Sequence, residues 1–395
     1  MSARVTSITD LRARVRRRHE LDLARSRVAI FVLVLVGLLL VVGLGAIMSA
    51  SSVDGILGES DRLAIFRRQV RWVVVGLFLM VIAMLIPYDW YKRGSVWILG
   101  ISIGGLLLVP MFGSTRGGAQ RWLEVGSVTV QPSEFSKLAV VIFLASVLAD
   151  RGERLGELQQ VLGPTLLAVG VTCTLVVLQP DLGTALIIAG AGGGVVLASG
   201  VPLRYIVGGG ALATALAAVS TLAYQYRRER FACFVDPLAD PLGSCFQLAQ
   251  SLMALGSGNL MGVGLGASRA RWAFLPNAHT DFIFTIIAEE TGFFGAVGLL
   301  AVLAGLSLAG IWIAYRTGDP FARLLASGIT AWLSGQSIVN VGGVVGVIPV
   351  TGLALPFVSV GGSAMVAALV GAGVLVNIAR TAPHPVVPKP RGDRQ

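Results

Sequence analysis

The residues best suited to chemistry lie in one stretch, Phe274-Leu275-Pro276-Asn277-Ala278-His279-Thr280-Asp281-Phe282. It sets a histidine and a carboxylate where a long polar segment runs into an apolar one. Ionisable groups at such a boundary are costly beside lipid and mark a reacting site or a substrate path. An ionised carboxylate there can take a proton from a hydroxyl group, and Asp281 is the candidate for that role. Thr280 reads as a helix N-cap with Asp281 in the first turn, where the helix dipole favours the charged form. The same placement would also suit an aspartate that only stabilises the helix. Glu289 shares the face of Asp281 if that helix is continuous, and Glu290 adds a further acidic group.

Three further segments carry polar groups of interest. Gly117-Gly118-Ala119-Gln120-Arg121-Trp122-Leu123 is followed by Gln131-Pro132-Ser133-Glu134-Phe135-Ser136-Lys137. Indole and guanidinium both settle at headgroup depth, so Trp122 beside Arg121 suits an interfacial site, though an aromatic-belt anchor fits as well. Glu134 and Lys137 are spaced to pair on one helix face. Either they neutralise each other or the lysine meets a phosphate. Gln179-Pro180-Asp181-Leu182-Gly183-Thr184 has the composition of a helix start. Asn340 to Gly352 and Leu355 to Ser363, which includes Ser359, are dense in Gly and Pro. That density reads as broken or re-entrant backbone, which at membrane depth must lie beside protein or a wet cavity.

The elements that position these groups follow from composition. Of 395 residues, 55% are hydrophobic and only 13% charged, and the mean hydropathy is +0.79. A soluble chain would carry roughly a quarter charged residues. Repeated apolar runs of about 20 residues indicate an all-α polytopic membrane protein and not a barrel, whose strands would alternate. About ten spans are expected, at 28–50, 70–87, 95–112, 134–149, 161–178, 181–199, 203–224, 282–315, 322–345 and 361–379. The eighth is overlong, so its opening turns, 281–292, are expected to be a half-buried segment ahead of the true span. Residues 1–27 form a basic tail, 28–380 the membrane domain and 381–395 a second basic, Pro-containing tail. The first apolar run is too long for a cleaved signal and reads as an anchor that stays.

The net charge of +10 resides largely in the two tails. Basic flanks mark the cytoplasmic side of a membrane, and without interleaved aromatics they do not indicate nucleic-acid binding. Placing both termini inside puts the long segments 51–69, 113–133, 225–280 and 346–360 outside, with the largest of them between spans seven and eight. The polar motifs therefore gather on one face. Cys233 and Cys245 share the largest outer loop, where oxidation is allowed, and are expected to form a disulfide; Cys173 falls in a span. No HExxH, Walker loop or CxxC pair is present, which speaks against zinc proteolysis and ATP-driven transport.

Taken in order, GAQRWL, QPSEFSKL, QPDLGT, the stretch from Asp236-Pro237 to Gln250-Ser251, GSGNLMGVGLG, FLPNAHTDFIF and GVIPVTGLALPFVSVGGS resemble the SEDS family (shape, elongation, division and sporulation) over about 28–380. Met48 to Val53 and the Arg-rich N-terminal tail look more like its division-type members than its elongation-type ones. The resemblance implies polymerisation of peptidoglycan glycan chains from lipid II on the outer face of the plasma membrane, at the division septum. It implies a catalytic acidic residue at Asp281, a loop tryptophan at Trp122 and a membrane-embedded lysine at Lys137. Candidate substrate contacts are Arg121, Trp122, Glu134, Lys137, His279, Thr280 and Ser359. It also implies undecaprenyl-linked substrates, a class B penicillin-binding transpeptidase and other division proteins as partners, and support by a divalent cation, Mg2+ or Mn2+, whose ligands the motifs leave open. The chain departs from the family pattern at Asn277, where Glu is common, at Val360, where Tyr is frequent, and in the paired Cys233 and Cys245. Two other readings of the same residues are a lipid II flippase and a scaffold that activates the transpeptidase.

Overall fold

The computed structural model describes residues 8–54, 63–116, 119–126, 128–151, 163–268 and 279–383. Residues 274–278, with the departure at Asn277, lie outside these, as do Gly117, Gly118 and the C-terminal tail from His384 onward.

The chain is a helical membrane protein. Its helices are α1 (Ile8–Asp54), α2 (Ala64–Leu85), α3 (Tyr88–Phe112), α4 (Pro132–Ala149), α5 (Gly163–Leu178), α6 (Leu182–Ala198), α7 (Leu203–Ala223), α8 (Gln225–Val235), α9 (Phe246–Ser257), α10 (Ile283–Arg316), α11 (Pro320–Val344) and α12 (Gly362–Thr381). Among the described residues, α1, α2, α3, α4, α7, α10 and α12 are long and apolar enough to cross a membrane; α5 and α6 are shorter apolar helices. The basic tail is not separate from the first span, since α1 starts at Ile8 and runs through it.

Close approach between helices rests on small residues, as expected where lipid offers no hydrophobic drive for association. Gly373 of α12 lies where a Cβ would sit 2.6 Å from the Met80 carbonyl of α2. The same two helices are tied at one end by Asn377, whose side-chain amide donates to the carbonyls of Met84 and Ile86 at 2.7 and 3.0 Å. At the other end Gln69 of α2 donates to the Ser359 carbonyl at 3.3 Å and accepts from the Gly361 amide at 3.3 Å. These bonds hold the non-helical stretch between α11 and α12 in place.

Three expectations need correction. The 113–133 segment is not a plain loop: it forms an antiparallel sheet of β1 (Gly113–Arg116), β2 (Ala119–Val125) and β3 (Val128–Val130), paired in that order. The 225–280 segment contains α8 and α9, joined by the Cys233–Cys245 disulfide with a Cα–Cα distance of 5.1 Å. The overlong eighth helix is broken where its length led one to expect, but its opening turns are more deeply buried. Gly292 takes φ 70°, ψ −167°, a left-handed value that side chains resist, and breaks α10. The carbonyls freed there accept from Val263 and Gly264 at 3.0 and 3.1 Å, so a loop from the outer segment completes the helix break. The stretch before the break, Ile283 to Glu290, is fully buried rather than half-buried. We expect Cys233→Ser/Cys245→Ser to lower the thermal stability of the outer segment by about 2–3 kcal/mol through lost loop closure, read as earlier proteolytic cleavage between α8 and α9 on heating.

Candidate active site

Asp281 sits just before α10. The N-cap of that helix is Phe282, with no side-chain capping bond. Thr280 therefore does not cap the helix, and Asp281 is not in its first turn. The reason is local: the backbone at Thr280 and Asp281 turns to bond elsewhere. Asn340 of α11 donates its side-chain amide to the Asp281 carbonyl at 2.8 Å and also to the Leu353 carbonyl. The Val360 amide donates to the His279 carbonyl at 3.0 Å. Asp281 is thus pinned between α11 and the irregular 345–361 stretch.

The carboxylate is half-buried and has an arginine neighbour that the sequence motifs did not single out. Gly352, at φ 75°, forms the floor: a Cβ there would lie 3.4 Å from Asp281 Oδ2 and 3.6 Å from Arg230 Nη1. Arg230 is held by its bond to the Val350 carbonyl at 3.0 Å and by lying 4.5 Å over the Tyr226 ring. Burial pushes the Asp281 carboxyl above the usual range. The charge of Arg230, the Thr280 hydroxyl and the charge of Arg121 oppose that rise, while Asp181 adds to it. The expectation of a dipole-stabilised, ordinary carboxylate is therefore replaced by a desolvated one held by cations. The consequence for pH has a definite sign. A base works above its pKa, so a raised value moves the acid limb of the rate upward. In Arg230→Gln the desolvation loses its largest counterweight, and the limb moves further up. A pH–rate profile checks this, with the deficit against the wild type shrinking as the pH rises.

Arg121 lies on β2 and reaches the turn ahead of α6. Its guanidinium donates to the carbonyls of Gln179, at 3.1 Å, and Pro180, and lies 3.8 Å from Asp181 Oδ2. Asp181 caps α6 through the Thr184 amide at 3.1 Å and hydroxyl at 2.9 Å, and accepts from Gln131 at 3.4 Å. Trp122, next along β2, is half-buried, and Arg121 is the extra residue of a bulge, because Trp122 pairs with Ser114 and Gln120 with Thr115.

The other candidates sit elsewhere. Lys137 is fully buried: Nζ bonds Glu134 at 2.7 Å and Gln336 at 2.8 Å and lies 5.5 Å from the Trp332 ring centroid. Gln336 in turn accepts from the Trp332 indole at 2.8 Å and donates to the Ala354 carbonyl at 2.8 Å. The hydroxyl of Ser359 accepts from the Leu355 amide at 2.8 Å, closing a buried turn. Glu289 does not share a site with Asp281, because the carboxylate accepts from Ser257 at 3.2 Å and from Ser268, and so anchors the outer loop. Glu290 accepts from Ser49 of α1 at 2.5 Å. The site that forms is therefore Asp281 with Thr280, Arg121, Asp181, Arg230 and Arg227. Arg227 and Arg230, two of the three arginines of α8, left one trace in the sequence that the motifs did not use. They lie in a segment assigned to the outer face, where the charge pattern of membrane proteins disfavours basic residues.

A family profile described as cell cycle protein, covering FtsW, RodA and SpoVE, matches residues 29–384. The chain belongs to the FtsW/RodA/SpoVE family. This is the SEDS group that the motifs resemble. It is 37% identical over 377 residues to the probable peptidoglycan glycosyltransferase FtsW of Mycobacterium tuberculosis, covering 95% of this chain and 72% of that one. It is 36% identical over 345 residues to stage V sporulation protein E of Bacillus subtilis, covering 87% and 94%. Among solved structures, it is similar to a chain of a peptidoglycan synthase complex that coordinates polymerization and crosslinking, at TM-score 0.72 and 30% identity over 88% of this chain and 96% of that one. The Thermus thermophilus rod shape determining protein RodA is also similar, at TM-score 0.65 and 26% identity, over 88% of this chain and 95% of that one.

Proposed function

We propose that this chain is a peptidoglycan glycosyltransferase that polymerises glycan strands from lipid II, in the division-type role of its FtsW relatives. The observation that carries the reading is Asp281, a desolvated carboxylate among cations at the start of a helix that leads into a membrane span. A site of that character suits a substrate that is itself a lipid. In the reaction, Asp281 takes the proton from the GlcNAc 4-hydroxyl of one lipid II. The oxygen attacks C1 of the terminal MurNAc of a growing chain from the face opposite the leaving group. The new C1–O4 bond forms as the C1–phosphate bond breaks, and undecaprenyl diphosphate departs with the electron pair. One base suffices for this inversion, because a diphosphate leaves without a proton.

Thr280 and Arg230 orient and hold the carboxylate, and Arg121 adds positive charge where negative charge develops. Trp122 flanks the sugar or fixes the sheet, and His279 and Ser359 shape the site through their backbone and turn contacts. The Glu134–Lys137 pair supports α4 against α11. Among the described residues no three metal-ligating side chains cluster. A Mg2+ or Mn2+ ion here would be held chiefly by the substrate's own phosphate oxygens. Such an ion would neutralise charge on the diphosphate.

The outer face of the plasma membrane at the septum is the location this reading requires, with both termini in the cytoplasm. Similarity to a complex that couples polymerization with crosslinking supports a class B penicillin-binding transpeptidase as partner, along with other division proteins. The test is incubation of the purified protein, with its transpeptidase, with lipid II and Mn2+ or Mg2+. Glycan strands on a gel are expected. Transfer of lipid II across liposomes without any polymer would instead point to a flippase.

A further inference from the structure

The base and its arginine leave one group unexplained. Arg227, at the start of α8, is 8% exposed, and its Nη2 has no hydrogen-bond partner. Nη1 is spent on the carbonyl and hydroxyl of Ser220, and the guanidinium stacks 4.6 Å over the Tyr224 ring. Among the described residues no carboxylate is ion-paired with it. Its charged form is disfavoured first by burial and then, beyond the help of Tyr224, by the like charge of Arg121; Asp181 favours it. Two guanidiniums thus share the field of one aspartate, and that aspartate is already occupied by Thr184 and Gln131. A buried cation with a free donor is costly unless an anion completes it.

The surroundings say what kind of anion. Arg227 lies one short turn beyond α7, a helix of 21 residues with no buried side chain, so an apolar face runs away from the arginine along its whole length. A cationic head site at the end of an apolar helix face matches a lipid whose anionic group is at its head. A guanidinium fork binds phosphate oxygens in pairs.

We propose that Arg227, with Arg121 beside it, is the binding site for the diphosphate of the polyprenyl-linked substrate. This rests on the glycosyltransferase reading for the identity of the lipid, but not on Asp281 being the base. With the donor bound there, the orphan Nη2 gains its acceptor and the repulsion between the two arginines is relieved.

Binding can be measured without turnover. Full-length protein carrying Asp281→Asn, in nanodiscs of neutral lipid, is titrated with undecaprenyl diphosphate, with undecaprenyl monophosphate and phosphatidylglycerol in parallel. The expected result is tighter binding of the diphosphate than of either comparison lipid. Adding Arg227→Gln should weaken it roughly ten-fold or more, Arg227→Lys should give an intermediate value, and the exposed neighbour Arg228→Gln should leave it unchanged. Equal affinity of parent, Arg227→Gln and Arg227→Lys for the diphosphate overturns the proposal. So does phosphatidylglycerol binding as tightly as the diphosphate, which would make this a general headgroup site. A polymerising Asp281→Asn protein would contradict the assignment of the base while leaving this binding result to stand or fall alone.

Discussion

Asp281→Asn is expected to reduce glycan polymerisation by about 10²–10⁴-fold, the usual contribution of a positioned general base. The amide keeps the size of the side chain and can still accept from Thr280, but it cannot take a proton. The backbone bonds that place residue 281, from Asn340 to its carbonyl and from Val360 to the His279 carbonyl, do not involve the carboxylate. Folding and association with a transpeptidase should therefore persist. Removing a desolvated carboxyl beside Arg230 does leave that arginine with one fewer anion, so a small change in thermal stability is expected alongside the loss of rate. The informative comparison is the intact transpeptidase complex on a sizing column against the absence of polymer on a gel.

Lys137→Met is expected to act on stability first. Lys137 has no exposed surface, and Glu134 is 7% exposed at the side chain. Taking the lysine away leaves a carboxylate buried between α4 and α11 with no cation, and breaking such a pair typically costs about 3–5 kcal/mol. Gln336 also loses a donor, and through it the Ala354 carbonyl and the 345–361 stretch lose support. The double variant Lys137→Met/Glu134→Gln removes the stranded charge and should recover much of the loss, which a double-variant cycle in thermal unfolding measures. The opposite pattern, an undiminished melting temperature with lost polymerisation in Lys137→Met alone, would mean that the lysine meets a substrate phosphate.

Legibility of the fold in the sequence follows a physical pattern. Spans were legible because bilayer thickness dictates length and apolarity: the run expected at 203–224 is the helix Leu203–Ala223, and that expected at 361–379 is Gly362–Thr381. The break in the eighth helix was legible too, because a run that long exceeds one bilayer crossing. The sheet β1–β3 was not, since its strands are short, polar and separated by Gly, with no sustained alternation. The helices α8 and α9 hid in a segment too polar to read as a span.

The site was legible in part. Asp281 stood out because a carboxylate against lipid is costly, whatever the fold. Arg230 did not, because its contact with Val350 joins residues 120 positions apart and leaves no local periodicity. Glu134 and Lys137 looked like either a substrate site or an internal pair at the level of spacing. The pair's complete enclosure by Gln336 and Trp332 comes from α11, which no motif near residue 134 announces. Thr280 as a cap failed for a related reason: tertiary bonds from Asn340 and Val360 shape the turn and shift the helix start past Asp281.

The chemistry rests on a half-buried aspartate, shifted upward by desolvation against the opposing charges of Arg230 and Arg121, deprotonating a sugar carried on lipid. Its most direct test is the rate of strand elongation against pH for the purified protein beside its Asp281→Asn variant. The account predicts a wild-type rate that rises through an acid limb displaced above the ordinary carboxylate range, and a variant whose rate is collapsed at every pH. A variant that elongates strands like the wild type at any pH would contradict it.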